Sequence, residues 1–439
     1  MNKKPKIIVL DDDPTGSQTV HNCLLLMRWD VETLRLGLKD KAPIFFVLTN
    51  TRSLPPESAA AVTREVCHNL KEAIALEQTQ DFLVVSRSDS TLRGHYPIET
   101  DVIAEELGPF DAHFLVPAFF EGGRVTIDSI HYLMIDGVPT PVHETEFARD
   151  SVFSYHHSYL PQYVEEKTKG QIKANQVTRF LLADMRGGSL DRLLRLYNNQ
   201  CAVVDGERQS DLNRFAVDIL SAANQGKRFL FRSAASILTA LAALPPQAIA
   251  SENMAEYVRQ GKPGAVIVGS HVQKTTQQLE VLLQTEGTQG IEIDVSQLLD
   301  DNSKSSAKLL TETLAKVHQV HKAGKTPVVY TSRQELTFAD VKTRLDFGLR
   351  VSNLLMDVVR GLPADIGFLI SKGGITSNDV LSTGLALTAA RLLGQILAGC
   401  SMVITPENHP QFPNLPVVLF PGNVGNAEAL ATVYQRLTK

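Results

Sequence analysis

Three consecutive carboxylates, Asp11-Asp12-Asp13, followed by Pro14-Thr15-Gly16-Ser17, end an apolar run at residues 6–10. Like charges this close repel, so a sugar hydroxyl needing a base, a magnesium ion or nearby arginines must offset them. On the ordinary reading, Asp13 or Ser17 would cap the next helix, but a cap needs one such residue, not three. A second cluster, Ser86-Arg87-Ser88-Asp89-Ser90-Thr91-Leu92-Arg93-Gly94-His95, is dense in hydroxyls and charge. Arginine takes carboxylate or phosphate in a bidentate grip, which suits an anionic substrate. Arg124, after Gly122-Gly123, offers another guanidinium, although a plain turn explains that loop equally well. The charged run Glu144-Thr145-Glu146-Phe147-Ala148-Arg149-Asp150 reads as readily as a solvated segment.

The second half carries a different chemistry. Ser371-Lys372-Gly373-Gly374-Ile375-Thr376-Ser377 leads from an apolar run towards a helix, a setting in which backbone N–H groups cradle phosphate. The spacing is not that of a P-loop. Pro421-Gly422-Asn423-Val424-Gly425-Asn426 is another glycine-rich turn, and Gly269-Ser270-His271 ends the first strand of this half. Three such loops at one sheet edge read as a nucleotide site.

These loops need a scaffold that puts them together. Residues 6–10, 44–48, 82–85 and 113–116 are short, apolar and bounded by turn or charged residues, so they read as buried strands. Helical spacing between them, as at 57–75, implies βαβ units and a mainly parallel sheet. Residues 124–146 break the rhythm and predict a hairpin or long loop. Strands are expected again at 201–204 and 229–231. A Pro/Gly-rich, polar stretch at 245–263 marks the expected division between domains 1–245 and 264–439. Beyond it, strands are expected at 265–268, 291–293, 327–330, 366–370, 402–404 and 417–420. Helices are expected at 275–284, 305–323, 341–359 and 380–398. The fold class is therefore α/β, with two α/β/α domains, each with a mainly parallel sheet. Ligands in such sheets collect at loops following strand carboxyl ends.

Composition narrows the function. With 439 residues, 43% hydrophobic and 21% charged, the chain has ample apolar side chains for two cores. A formal net charge of -5 without a Lys/Arg cluster gives no footprint for nucleic acid. The basic start is followed by too short an apolar run for a signal peptide or membrane span. Cys23, Cys67, Cys201 and Cys400 form no CxxC pair and read as buried thiols in a reducing cytoplasm, with no transition-metal ligand set.

Taken together, the loops resemble those of the four-carbon acid sugar kinases, which phosphorylate threonate, erythronate and 3-oxo-tetronate. The resemblance covers nearly the whole chain. Asp11-Asp12 and Thr15-Gly16 match the family's acidic opening motif, and Asp89 to Gly94 matches its Asp-Ser-Thr-Leu-Arg-Gly signature in full. Pro117 to Arg124 and Glu144 to Phe147 are similar to two further motifs. In the second half, Ser270, Gly373 to Thr376 and Gly422 to Gly425 fit the family's ATP loops. The resemblance implies a sugar-acid-binding N-terminal domain and an ATP-binding C-terminal domain, with the active site in the interdomain cleft and closure on substrate.

On that basis Asp12 or Asp89 is expected to orient or deprotonate the attacking hydroxyl. Asp11, Arg87, Arg93 and Arg124 are expected to bind the substrate. Ser270, Gly373, Gly374, Ile375, Thr376, Gly422 and Asn423 are expected to bind ATP, with Mg2+ accompanying it. No side-chain metal ligands are assigned. The partners are a small sugar acid and ATP, with a homodimer expected on base rates alone. A dinucleotide-dependent oxidoreductase would need GxGxxG after an early strand, where aspartates stand instead. A non-catalytic binding protein on the same fold is the other alternative, to be separated by ATP consumption.

Overall fold

The apolar runs of the chain form the strands of two α/β units, residues 1–246 and 247–439. The computed structural model describes residues 4–270, 272–299, 303–333, 336, 338, 340–422 and 424–439, without the side chains of 303, 304, 341, 342 and 345.

In the N-terminal unit the strands are β1 (Lys6–Asp11), β2 (Leu24–Leu26), β3 (Ile44–Leu48), β4 (Phe82–Arg87), β5 (Ala112–Val116), β6 (Arg124–Ile127), β7 (Ile130–Ile135), β8 (Val138–Pro141), β9 (Thr178–Phe180), β10 (Gln200–Val204) and β11 (Phe229–Ser233). The main sheet runs β2-β3-β1-β4-β11-β5-β10-β9, every pair parallel. Its central strands are buried on both faces, which is why their sequences are largely apolar rather than alternating. Helix Pro56–Leu76 starts with proline in its first turn and buries Ala59, Thr63, Val66, Leu70 and Ala73, a stripe at three- and four-residue spacing. Burying one large aliphatic side chain there stabilises the unit by about 1.5–3 kcal/mol. Residues 124–141 form a separate antiparallel sheet, β6-β7-β8, two successive hairpins where a hairpin or a long loop was expected.

The chain steps from β1 to β3 on one side and then returns to place β4 on the other. Such a reversal opens a crevice at the carboxyl ends of the two strands, where α/β sheets hold ligands.

In the C-terminal unit the strands are β12 (Ala265–Val268), β13 (Thr288–Ile293), β14 (Thr326–Thr331), β15 (Leu369–Lys372), β16 (Ala389–Leu397), β17 (Cys400–Ile404) and β18 (Pro416–Phe420). Their order is β13-β14-β12-β15-β18-β17-β16. The first five are parallel and the last two antiparallel. The same reversal recurs here, between β12 and β15. Val266, Phe368, Ile370, Val418, Leu430 and Tyr434 centre the core. Residues 247–263, expected to separate the domains, pack onto this unit: Gln247 exchanges hydrogen bonds with the backbone of Gln395, and Met254 is fully buried in its core.

Two expectations need correction. Residues 380–398 were expected to be one helix. Instead a π-turn at Val380–Gly384 ends a short helix, and β16 follows with strictly alternating burial. Ala390, Leu392 and Ile396 face the core at period two, and Gly394, at φ +134°, accommodates a bulge against β17. Pairing with β17 overrides the helix propensity of the Ala/Leu-rich stretch. The strand expected at 366–370 begins at Leu369, so Ser371 and Lys372 lie within β15 and not in the loop after it.

Candidate active site

Strand register decides which side chains meet at the carboxyl edge of the N-terminal sheet. Asp11 ends β1 opposite Arg87 of β4, and Arg87 stands opposite Ser233 of β11. Side chains alternate faces along a strand, so these three share one face and their neighbours Ser86 and Arg232 take the other.

On the first face, Asp11 is fully buried, with Oδ1 3.5 Å from Arg87 Nη1. The loop folds over it at Gly16, where a Cβ would stand 2.0 Å from Asp11 Oδ1, so only glycine closes this turn. Burial pushes the Asp11 carboxyl up to about 8; Arg87 opposes that shift, while Asp12 and Asp13 add to it. At neutral pH this carboxyl therefore mostly keeps its proton. Asp11 Oδ2, Arg87 Nε and Ser233 Oγ have no hydrogen-bond partner among the described residues. Buried polar atoms are rarely left so, and a row of them suits a polar ligand.

On the second face, Arg52 grips the acidic loop. Its Nη2 and Nε donate to the two oxygens of Asp12 at 2.5 and 3.2 Å, and its Nη1 lies 3.3 Å from Asp13 Oδ2. Ser88 Oγ donates to Asp12 Oδ2 at 2.6 Å and accepts from Arg232 Nη2 at 2.6 Å. Arg232 also donates to Ser86 Oγ and to Glu99 Oε2. Among the described residues, Asp12 Oδ2 thus has its acceptor directions filled, while Oδ1 keeps one open. Burial works to raise the Asp13 carboxyl, but Arg52, Arg87 and Thr15 outweigh it and hold it below the usual range.

Asp89 faces the same opposition between burial and charge. Burial favours its neutral form, yet Arg93, Arg52 and Thr91 hold the carboxyl well below the ordinary range. Arg93 Nε donates to Asp89 Oδ2 at 2.7 Å, its Nη1 is 3.5 Å from Asp150, and its guanidinium lies over the Phe147 ring. Asp89, Leu92, Arg93, Pro117, Tyr163 and Ser233 are among the residues lining a small cavity here. Arg124 donates to the Gly122 carbonyl and feels the charges of Asp89 and Arg93, while its Nε lacks a partner among the described residues.

The structure thus brings Asp11, Asp12, Arg87, Asp89, Arg93 and Arg124 to one edge. Sequence reasoning missed Arg52, Arg232 and Ser233. Arg52 follows the carboxyl end of β3 among uncharged neighbours, so no local cluster of charge marks it. Arg232 was visible as a charge directly after the apolar run Phe229-Leu230-Phe231.

In the C-terminal unit three loops touch. Ser270 Oγ is 3.1 Å from Thr275 Oγ1, which donates to the Gly422 carbonyl at 3.2 Å. Gln278 Nε2 donates to the carbonyls of Val424 and Asn426. Gly373 has φ +117°, and a Cβ on it would stand 2.9 Å from Ser270 Cβ, while one on Gly269 would stand 2.4 Å from Thr376 Oγ1. Side chains at either glycine would push the loops apart. Arg333, also missed in the sequence, donates from Nη2 to the Ser270 carbonyl and leaves Nη1 unpartnered among the described residues. Ile375 and Val272 expose 67% and 49% of their surface beside these polar loops, which sets an apolar face next to a polar one. Asn423 lies outside the described residues, as does His271.

Comparison with known proteins assigns both halves. A family profile described as a sugar-binding N-terminal domain matches residues 7–241, and one described as a nucleotide-binding C-terminal domain matches residues 265–430. The chain is 24% identical to a D-erythronate kinase of Heliobacterium modesticaldum over 97% of its length and 95% of the relative's. It is 24% identical to a D-threonate kinase of Salmonella typhimurium, over 97% and 96%. A solved protein of Salmonella typhimurium LT2 shares the fold at a TM-score of 0.72 and 18% identity, covering 99% of this chain and 98% of the other. A Haemophilus influenzae protein does so at a TM-score of 0.63 and 17% identity, over 98% and 100%.

Proposed function

The chain belongs to the four-carbon acid sugar kinase family, and from that premise we propose that it transfers the γ-phosphoryl group of ATP to a hydroxyl of a four-carbon sugar acid such as erythronate or threonate. The observation that carries this reading is the division of chemistry within one chain. One sheet edge carries aspartates and arginines suited to a polyhydroxy acid, and another carries glycines and hydroxyls suited to phosphates.

Phosphoryl transfer asks mainly for positioning and charge neutralisation. In the proposed reaction Arg93, with Arg87 and Arg124, holds the carboxylate of the acid. Asp12 orients the attacking hydroxyl through Oδ1, the oxygen with a free acceptor direction, and takes its proton as the oxygen bonds to phosphorus and ADP leaves. Asp89, occupied by Arg93 and Thr91, fixes the anion-binding arginine. Ser270, Thr376 and the backbone around Gly373, Gly374 and Gly422 receive the phosphates, and Ile375 offers an apolar face to the base. Asn423 is proposed on resemblance alone. Magnesium enters as MgATP, part of the substrate, because among the described residues no group of three His, Cys, Asp or Glu side chains could hold an ion. No helix among them is long and apolar enough to cross a membrane.

The test is ADP release from MgATP across a panel of four- to six-carbon sugar acids. Release with a four-carbon acid and little with longer ones is expected. No release with any acid refutes the proposal.

A further inference from the structure

Lys372 ends β15 and is 0% exposed, among the largest fully buried side chains of the chain. Its Nζ donates to the Pro421 carbonyl at 2.5 Å and lies 4.6 Å from the centroid of the Phe420 ring. Its own carbonyl accepts from Ser270 N–H at 3.4 Å, and the next N–H, of Gly373, donates to the Phe420 carbonyl at 2.8 Å. In register it stands between Val268 of β12 and Phe420 of β18. One residue therefore joins the strand ends that launch all three glycine loops. An ammonium has three protons to place, and here one hydrogen bond and a ring face meet it among the described residues. Such burial costs stability, and a methionine would fill the space more cheaply. A residue that the fold alone disfavours, at the junction of a ligand site, points to function.

We propose that Lys372 is a positioning residue for the nucleotide: its buried ammonium ties the Pro421–Gly422 turn to the strand end that carries Gly373, and the positive charge is needed for tight binding of phosphates. This rests on the nucleotide reading of the C-terminal unit. The groups facing the amine are the Cys400 thiol from β17, the Phe420 ring from β18 and Lys274 from helix Gln273–Leu283. Burial pushes the amine down to about 7, and the charge of Lys274 adds to that shift. Burial also keeps Cys400 a thiol. The ammonium is thus present below about pH 7 and lost above it, and bound phosphates draw the proton back.

The experiment is calorimetric titration of the whole chain with MgADP, from about pH 7, where the phosphates are already ionised, to about pH 8.5. Buffers of different ionisation enthalpy report proton uptake. The natural protein is expected to bind about five- to tenfold more weakly at the upper pH and to take up part of a proton on binding. Lys372→Met is expected to bind about tenfold more weakly at the lower pH, with a flat profile and no uptake, while melting at the same or a higher temperature. Lys372→Arg keeps the charge and is expected to recover part of the affinity with a flat profile. A flat profile in the natural protein, or Lys372→Met binding within about twofold of it throughout, overturns the role of Lys372. Absence of MgADP binding by the natural protein at any pH overturns the nucleotide reading itself.

Discussion

Asp11→Asn separates two opposed views of the charge row at the carboxyl edge of the N-terminal sheet. If Asp11 and Arg87 form an ordinary buried ion pair, removing one charge should destabilise by about 3–5 kcal/mol. The geometry argues otherwise, since the 3.5 Å contact is long, Asp11 Oδ2 has no partner among the described residues, and burial holds the carboxyl up to about 8. A folded-state value above the unfolded one means that the native state binds the extra proton between about pH 4 and 8. Stability from this group is therefore full below the unfolded value and lost as pH rises through that window. At pH 7 the cost relative to acid conditions is about 3 units at 1.36 kcal/mol each, or about 4 kcal/mol as an upper figure. Asparagine reproduces the neutral carboxyl without that cost. Asp11→Asn should therefore be more stable than the natural protein at pH 7, with the gap closing towards about pH 4. Urea unfolding followed across pH, with each transition fitted separately, measures it. A variant less stable at pH 7, or a gap independent of pH, would falsify the assignment of a proton to Asp11.

The remaining predictions concern the neighbouring groups. Asp12→Asn should lower kcat by about 10²–10³-fold with little change in the KM of the sugar acid, because an amide cannot take the proton that the proposed mechanism gives to Asp12. Asp89→Asn should instead raise that KM about tenfold or more by releasing Arg93, and steady-state kinetics on both variants would expose a reversed pattern. Gly94→Ala should cost at least about 2 kcal/mol and most of the activity, since its φ is +123° and a Cβ would stand 2.3 Å from Ser88 Oγ. Unchanged urea midpoints for that variant would contradict the close approach.

Legibility followed burial. Strands such as Ile7-Ile8-Val9-Leu10 and Ala265-Val266-Ile267-Val268 announce themselves because both faces are covered and every position is apolar. β16 did not, because Ala389 to Leu397 combines good helix formers with a half-buried strand, and only the cross-strand partner decides between them. At the site, the acidic triplet and the Asp89–Arg93 stretch were readable from local density of charge. Arg52 was not, as its meaning depends on parallel register that brings the end of β3 beside that of β1. Lys372 looked like a loop residue until the strand was found to include it.

The position of β11 bears on how the N-terminal unit is made. It is the last strand of that unit in sequence, yet it lies between β4 and β5, which have no pairing of their own. Until it inserts, the sheet is two separate pieces, β2-β3-β1-β4 and β5-β10-β9, each with an open, apolar strand edge. During synthesis the nascent chain carries both exposed edges until residues 229–233 have emerged, so this unit cannot be completed progressively from its N-terminus. The same insertion delivers Arg232 and Ser233, so the polar cluster is incomplete until the sheet closes.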